Sequence, residues 1–140
     1  SFVRLCGVMQ KSFFVDKKEH PSQLAIKQKL ANELGAFLRE NLGYFQGFHK
    51  VIVYYDNGQK MVMDLINTVF NSYLSSVDIR KIRHADYRLA QVADFICMLE
   101  LLRLKERRGV ALSRSEQIFF ENRRRLNKVF LKALRKISFQ

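Results

Sequence analysis

The turn Asp56-Asn57-Gly58 follows the β-branched and aromatic run Val51-Ile52-Val53-Tyr54-Tyr55, and the segment after it constrains the fold more than any other feature of the chain. Asn-Gly between two strands is a strong hairpin signal, because both residues tolerate the positive φ of the tightest turns. Here, however, the next apolar residues are Met61, Val62, Leu65, Ile66, Val69, Phe70 and Leu74. Their separations of three and four fit one face of a helix rather than a strand. The turn therefore joins strand to helix. Val77 to Arg83 is a further short β-type run, and a strand that returns after a crossover helix lies parallel to the first.

The rest of the chain extends this alternation. Val8 to Asp16 mixes Val, Phe and polar residues and predicts a strand, with Cys6-Gly7 as the turn before it. Pro21 fits the first position of a helix that carries Leu24, Ile26, Leu30, Leu34, Phe37, Leu38 and Leu42, with Gly43 as its stop. Phe48 to Tyr55 predicts a strand buried on both faces. Asp86 is placed to cap a helix from about Tyr87 to Arg107, which Gly109 ends. Ser113-Arg114-Ser115-Glu116 matches a capping box ahead of Ile118, Phe119 and Phe120. A final helix sets Leu126, Val129, Phe130, Leu134 and Ile137 on one face and most of the arginines on the other. The class is α/β: a mostly parallel sheet with flanking helices, and a basic helical extension over about 110–140.

A length of 140 residues suits a single domain, able to bury roughly two-thirds of its unfolded surface. The net charge of +12 is uneven: from Arg103 onward there are twelve Lys or Arg against three Glu. Such an excess attracts polyanions, nucleic acid first among them, or an acidic partner surface; the alternative is a solvated basic face. The two cysteines, Cys6 and Cys97, form no paired motif. They read as small buried apolar residues in a reducing compartment and argue against a zinc-thiolate site. Gln91, Asp94, Glu100 and Arg103 interrupt the longest apolar stretch, so no membrane span is expected and a cytoplasmic location is.

Chemistry concentrates on two carboxylates. Asp56 closes one apolar run, and Asp94 interrupts the run from Leu89 to Leu104. A buried carboxylate costs several kcal/mol unless it is paired or bound to metal. Asp56 stands at the carboxyl end of a strand, where α/β sheets form their sites. A helix that starts after the parallel neighbour begins at the same edge and brings Gln91 and Asp94, three apart, on one face. Two carboxylates in a basic protein suggest Mg²⁺ or Mn²⁺ acting on phosphates, with Lys60, Arg83 and Arg88 as contacts for the polyanion. Against this stands the reading of Asp56 as a turn residue and Asp94 as a solvated polar break. His20 and His49 read as surface residues and His84 as a hydrogen-bonded structural one. Glu100 reads as an ion-pair partner of Arg103 or Arg107. The chain contains no glycine-rich phosphate loop, no Ser/His/Asp signature and no HExxH.

Ile52-Val53-Tyr54-Tyr55-Asp56-Asn57-Gly58-Gln59, followed by the stretch from Asp86 through Gln91-Val92-Ala93-Asp94 to Leu101, then Ser113 to Glu116 and the basic tail, resembles the bacterial family termed domain of unknown function 3800. The resemblance runs along the whole chain, and Gln91-x-Ala93-Asp94 is its most specific part. It implies a ribonuclease-H-like fold in which acidic residues on two strands and a helix bind divalent metal. By motif, Asp56 would be the fourth-strand acid, Asp94 the helix acid and Gln91 their neighbour.

The family pattern also implies an earlier strand ending in Asp-Glu-Ser-Gly, and this chain contains no such motif. The expectation is therefore an incomplete ribonuclease-H-like fold, the C-terminal portion of a larger domain. Such a piece would be inactive by itself and would associate with itself or with the missing N-terminal part through exposed sheet edges. The implied activity is metal-dependent hydrolysis of phosphodiesters. The rivals are a non-catalytic nucleic-acid-binding or assembly module and a phosphohydrolase of small substrates.

Overall fold

The computed structural model describes residues 8–56, 58–120 and 125–139. It divides into two compact units, one of residues 13–90 and one of residues 1–12 with 91–140. Cys6-Gly7, Asn57, Arg123 and Arg124 lie outside the described residues.

The architecture is mixed α/β. In the 13–90 unit, α1 (Gln23–Glu40) and α2 (Leu42–Gln46) precede β1 (Val51–Asp56), α3 (Lys60–Tyr73) and β2 (Val77–Ile82). The two strands pair in parallel, in register from Val51 opposite Val77 to Asp56 opposite Ile82. This is the strand-helix-strand crossover expected from the spacing after Gly58, whose N–H turns back onto the Asp56 carbonyl at 2.9 Å. Leu38 of α1 meets Leu65 and Val69 of α3, with Leu30, Leu34, Phe37, Ile66 and Phe70 around them.

Several boundaries differ from expectation for local reasons. Helix α1 starts after Pro21, because the Ser22 hydroxyl accepts the N–H of Ala25 at 3.1 Å and makes Ser22 the cap. It ends before Gly43, because Asn41 turns its side-chain amide onto the Phe37 carbonyl at 2.8 Å; Gly43 lies within α2. Val8 to Asp16 forms no strand. Gln10 makes only an isolated parallel bridge to Ser138, through bonds of 2.7 Å to the Ile137 carbonyl and from the Phe139 N–H. Strand β1 is not covered on both faces: its residues alternate between partly buried and exposed, with Ile52 and Tyr54 on the exposed side.

The second unit is organised by α4 (Arg88–Arg107), α5 (Arg114–Phe120), a π-helical stretch Leu126–Leu131, and α6 (Lys132–Lys136). Its core is Leu99, Leu102, Leu112, Leu131 and Leu134. Gly109 ends α4 at φ +68°, where its N–H reaches the Glu106 carbonyl and that of Val110 reaches Lys105, the paired closure for which glycine is favoured. The capping box forms reciprocally: Ser113 N–H donates to Glu116 Oε2 at 2.7 Å, and Glu116 N–H donates to the Ser113 hydroxyl at 3.3 Å. In the last helix Val129 is exposed and Leu131 is buried, because π-helical winding turns side chains off the 3.6-residue face that the sequence suggests.

Candidate functional site

Both strands of the parallel pair end at one edge, and the chain leaves β2 through Arg83 into a 3₁₀ turn, His84–Asp86. Asp56 lies at this edge. Its Oδ1 accepts the backbone N–H of His84 at 3.2 Å, so one carboxylate oxygen is fixed by the turn that follows the neighbouring strand. Asp56 is exposed, as are Lys60 at the start of α3, Arg83, and Arg88 at the start of α4. Asp86 is no helix cap: its carboxylate is 2.9 Å from Arg83 Nε, which draws it back along the turn.

Asp94 and Gln91 are exposed residues of α4 and belong to the other unit. The burial expected for both aspartates is corrected, because each side chain leaves its apolar run on the solvent side. Among the described residues, the buried carboxylate is Glu100, 2% exposed. It pairs with Arg103 at 2.6 Å, as its spacing suggests, and accepts the Gln10 side-chain amide at 2.9 Å. Cys97 is exposed rather than buried. Partial desolvation, then the charges of Asp94 and Glu100, hold its thiol above the ordinary value.

Asp56 in one unit, and Asp94 and the Gln91 amide in the other, each offer oxygen, the ligand type that Mg²⁺ and Mn²⁺ prefer. Among the described residues, no three His, Cys, Asp or Glu gather as a ready-made metal site.

Sequence reasoning passed over the face beside Asp56. With a strand period of two, Ile52, Tyr54 and Asp56 share one face, and Ile52 and Tyr54 are 42% and 39% exposed. Tyr87, a residue 42% exposed, has its ring 5.5 Å from that of Tyr54 at an interplanar angle of 37°. Opposite Tyr54 on β2, Arg80 holds its guanidinium 6.0 Å from the ring centre. Asp78 orients it at 2.7 Å and also draws Lys50 to 3.5 Å. The Arg80 hydrogen bond keeps the Asp78 carboxyl below its ordinary range. The period-two link from Asp56 back to Tyr54 was the available signal.

On the second unit, Arg107, Arg108, Arg114, Arg125, Lys128, Lys132, Arg135 and Lys136 are exposed. Arg103 and Lys105 are instead tied to Glu100 and Glu116. No helix of the described residues is long and apolar enough to cross a membrane. The chain matches no protein-family model, no curated protein and no solved structure.

Proposed function

We propose that the chain belongs to a ribonuclease-H-like protein of the type termed domain of unknown function 3800, and that this protein hydrolyses nucleic-acid phosphodiesters with a divalent metal. The observation that carries the reading is Asp56: an exposed carboxylate at the carboxyl end of a parallel strand, with one oxygen anchored by the His84 N–H. That edge is where open α/β sheets keep their sites. By the motif resemblance, Asp56 would serve as the strand acid for Mg²⁺ or Mn²⁺ and Asp94, with Gln91, as the helix acid. The cation would supply an activated water and neutralise developing charge. Arg83 and Arg88, with Lys60, would position the phosphate backbone; the Asp86 carboxylate holds Arg83 in place.

The test is cleavage of RNA and DNA by the full-length gene product with Mg²⁺ or Mn²⁺, compared with Asp56→Asn and Asp94→Asn. Metal-dependent cleavage that disappears in both variants supports the reading. Equal cleavage by wild type and Asp56→Asn sinks it. The second reading, a non-catalytic nucleic-acid-binding module, is favoured by the exposed basic residues of the C-terminal helices. Salt-dependent binding without metal and without cleavage would select it.

A further inference from the structure

We infer that the exposed face of the β1–β2 pair is a stacking platform for the bases of single-stranded nucleic acid, with Tyr54 and Tyr87 as its rings. Parallel strands ordinarily have both faces covered. Here Ile52, Tyr54 and Tyr87 each expose about two-fifths of their surface, and the two rings pack against one another at a tilt of 37° on the exposed face.

Charge selects the occupant. Lys50 and Arg80 share a single anion, Asp78, so the flank of the platform keeps a positive excess. The whole chain carries +12, which opposes close approach of a second copy and favours a polyanion. Asp78 and Arg80 also interrupt the apolar surface beside Tyr54, which suits an alternation of flat bases and phosphates better than a dry protein interface. Sequence-tolerant binding of single strands uses this combination of aromatic faces and neighbouring cations.

The placement relates to Asp56. Tyr54 precedes it by two residues on the same face, about 6.6 Å along the strand. A base on Tyr54 therefore puts a neighbouring phosphate toward the carboxylate edge. This last step names single strands as the substrate class and rests on the hydrolase reading above; the platform itself does not.

The test is fluorescence anisotropy of a labelled oligothymidine with the full chain in EDTA, at low and high salt. Tyr54→Leu, which keeps apolar bulk in the strand, and Tyr87→Ala, which lies outside both strands, should each weaken binding about 5- to 150-fold, the loss of one stacked base. Tyr54→Phe should bind as wild type, and a duplex of equal length should bind more weakly than the single strand. Unchanged affinity in both Tyr54→Leu and Tyr87→Ala overturns the inference. So does preference for duplex, or a wild-type dimer that Tyr54→Leu dissociates while no oligonucleotide binds. EDTA separates the two proposals. Ring-dependent binding by this chain, with no metal-dependent cleavage by the full-length gene product, keeps the platform and sinks the hydrolase. Cleavage of single strands unaffected by Tyr54→Leu does the reverse.

Discussion

The Asp56 carboxylate accepts the backbone N–H of His84 at 3.2 Å, tying the last residue of one parallel strand to the first residue of the turn that follows its neighbour. The bond is exposed, so its net contribution is modest. Asp56→Ala should destabilise the protein by about 1 kcal/mol. Asp56→Asn keeps an oxygen acceptor and should stay within about 0.5 kcal/mol of wild type. Urea denaturation of the two variants checks this. Asn therefore removes the charge with little change to the edge, which makes it the better probe of metal-dependent chemistry.

Glu100 poses a different energetic problem. It is buried, with Arg103 at 2.6 Å and the Gln10 amide at 2.9 Å. Truncating one partner leaves the other charge in a poorly solvated place, and Glu100→Ala should cost about 3 kcal/mol. Arg103→Ala should cost a comparable amount, because it strands the more deeply buried carboxylate. The double variant should be less destabilised than the sum, a coupling that a double-mutant cycle in urea would measure.

Two glycines should respond oppositely to alanine. At Gly35, inside α1, an added Cβ would meet the Tyr73 ring at 3.4 Å, an ordinary contact. Gly35→Ala should therefore gain about 0.5–1 kcal/mol from helix propensity. Gly109 has φ +68°, and Gly109→Ala should lose about 1–2 kcal/mol through the left-handed backbone. Thermal unfolding of both variants decides the signs.

The capping box gives a pH dependence. Glu116 takes Lys105 Nζ on one oxygen at 2.8 Å and the Ser113 N–H on the other at 2.7 Å. The Lys105 hydrogen bond, then that of Ser113, holds its carboxyl below the ordinary value of 4.5. A depressed carboxylate contributes stability above its unfolded pKa and loses that contribution as pH falls through the folded one. The α5 start should therefore be insensitive to pH above 4.5 and weaken below it. Ser113→Ala should cost about 1 kcal/mol at neutral pH. Amide hydrogen exchange over residues 113–118 reads both effects.

Cys97 reports on Asp94. Partial desolvation and the charges of Asp94 and Glu100 raise its pKa, so alkylation by iodoacetamide should be slower near pH 8 than for an unperturbed thiol. Asp94→Asn removes one of the two charges. It should accelerate alkylation and move the pH–rate midpoint downward. An unchanged profile would mean that the aspartate exerts no field at the thiol.

The sequence by itself determined what neighbouring residues can settle. Helical spacing after Gly58 established the strand-helix-strand crossover; Ser113 with Glu116 established the capping box; Gly109 established the end of α4; and the nearness of Glu100 to Arg103 and Arg107 pointed to an ion pair, which forms with Arg103. Each depends on groups within one turn of helix or one short connection, so residue identity and spacing are enough. The apolar runs around Asp56 and Asp94 could not reveal which way the carboxylates point, since burial depends on what packs against each side. Both proved exposed, while Glu100 occupies the interior. Tertiary contacts also decided that Val8 to Asp16 makes one bridge through Gln10 rather than a strand, because a strand requires a partner from elsewhere in the chain. They left Tyr54 partly exposed beside Tyr87 and Arg80, because the face of a strand is defined by distant residues that its own sequence does not contain.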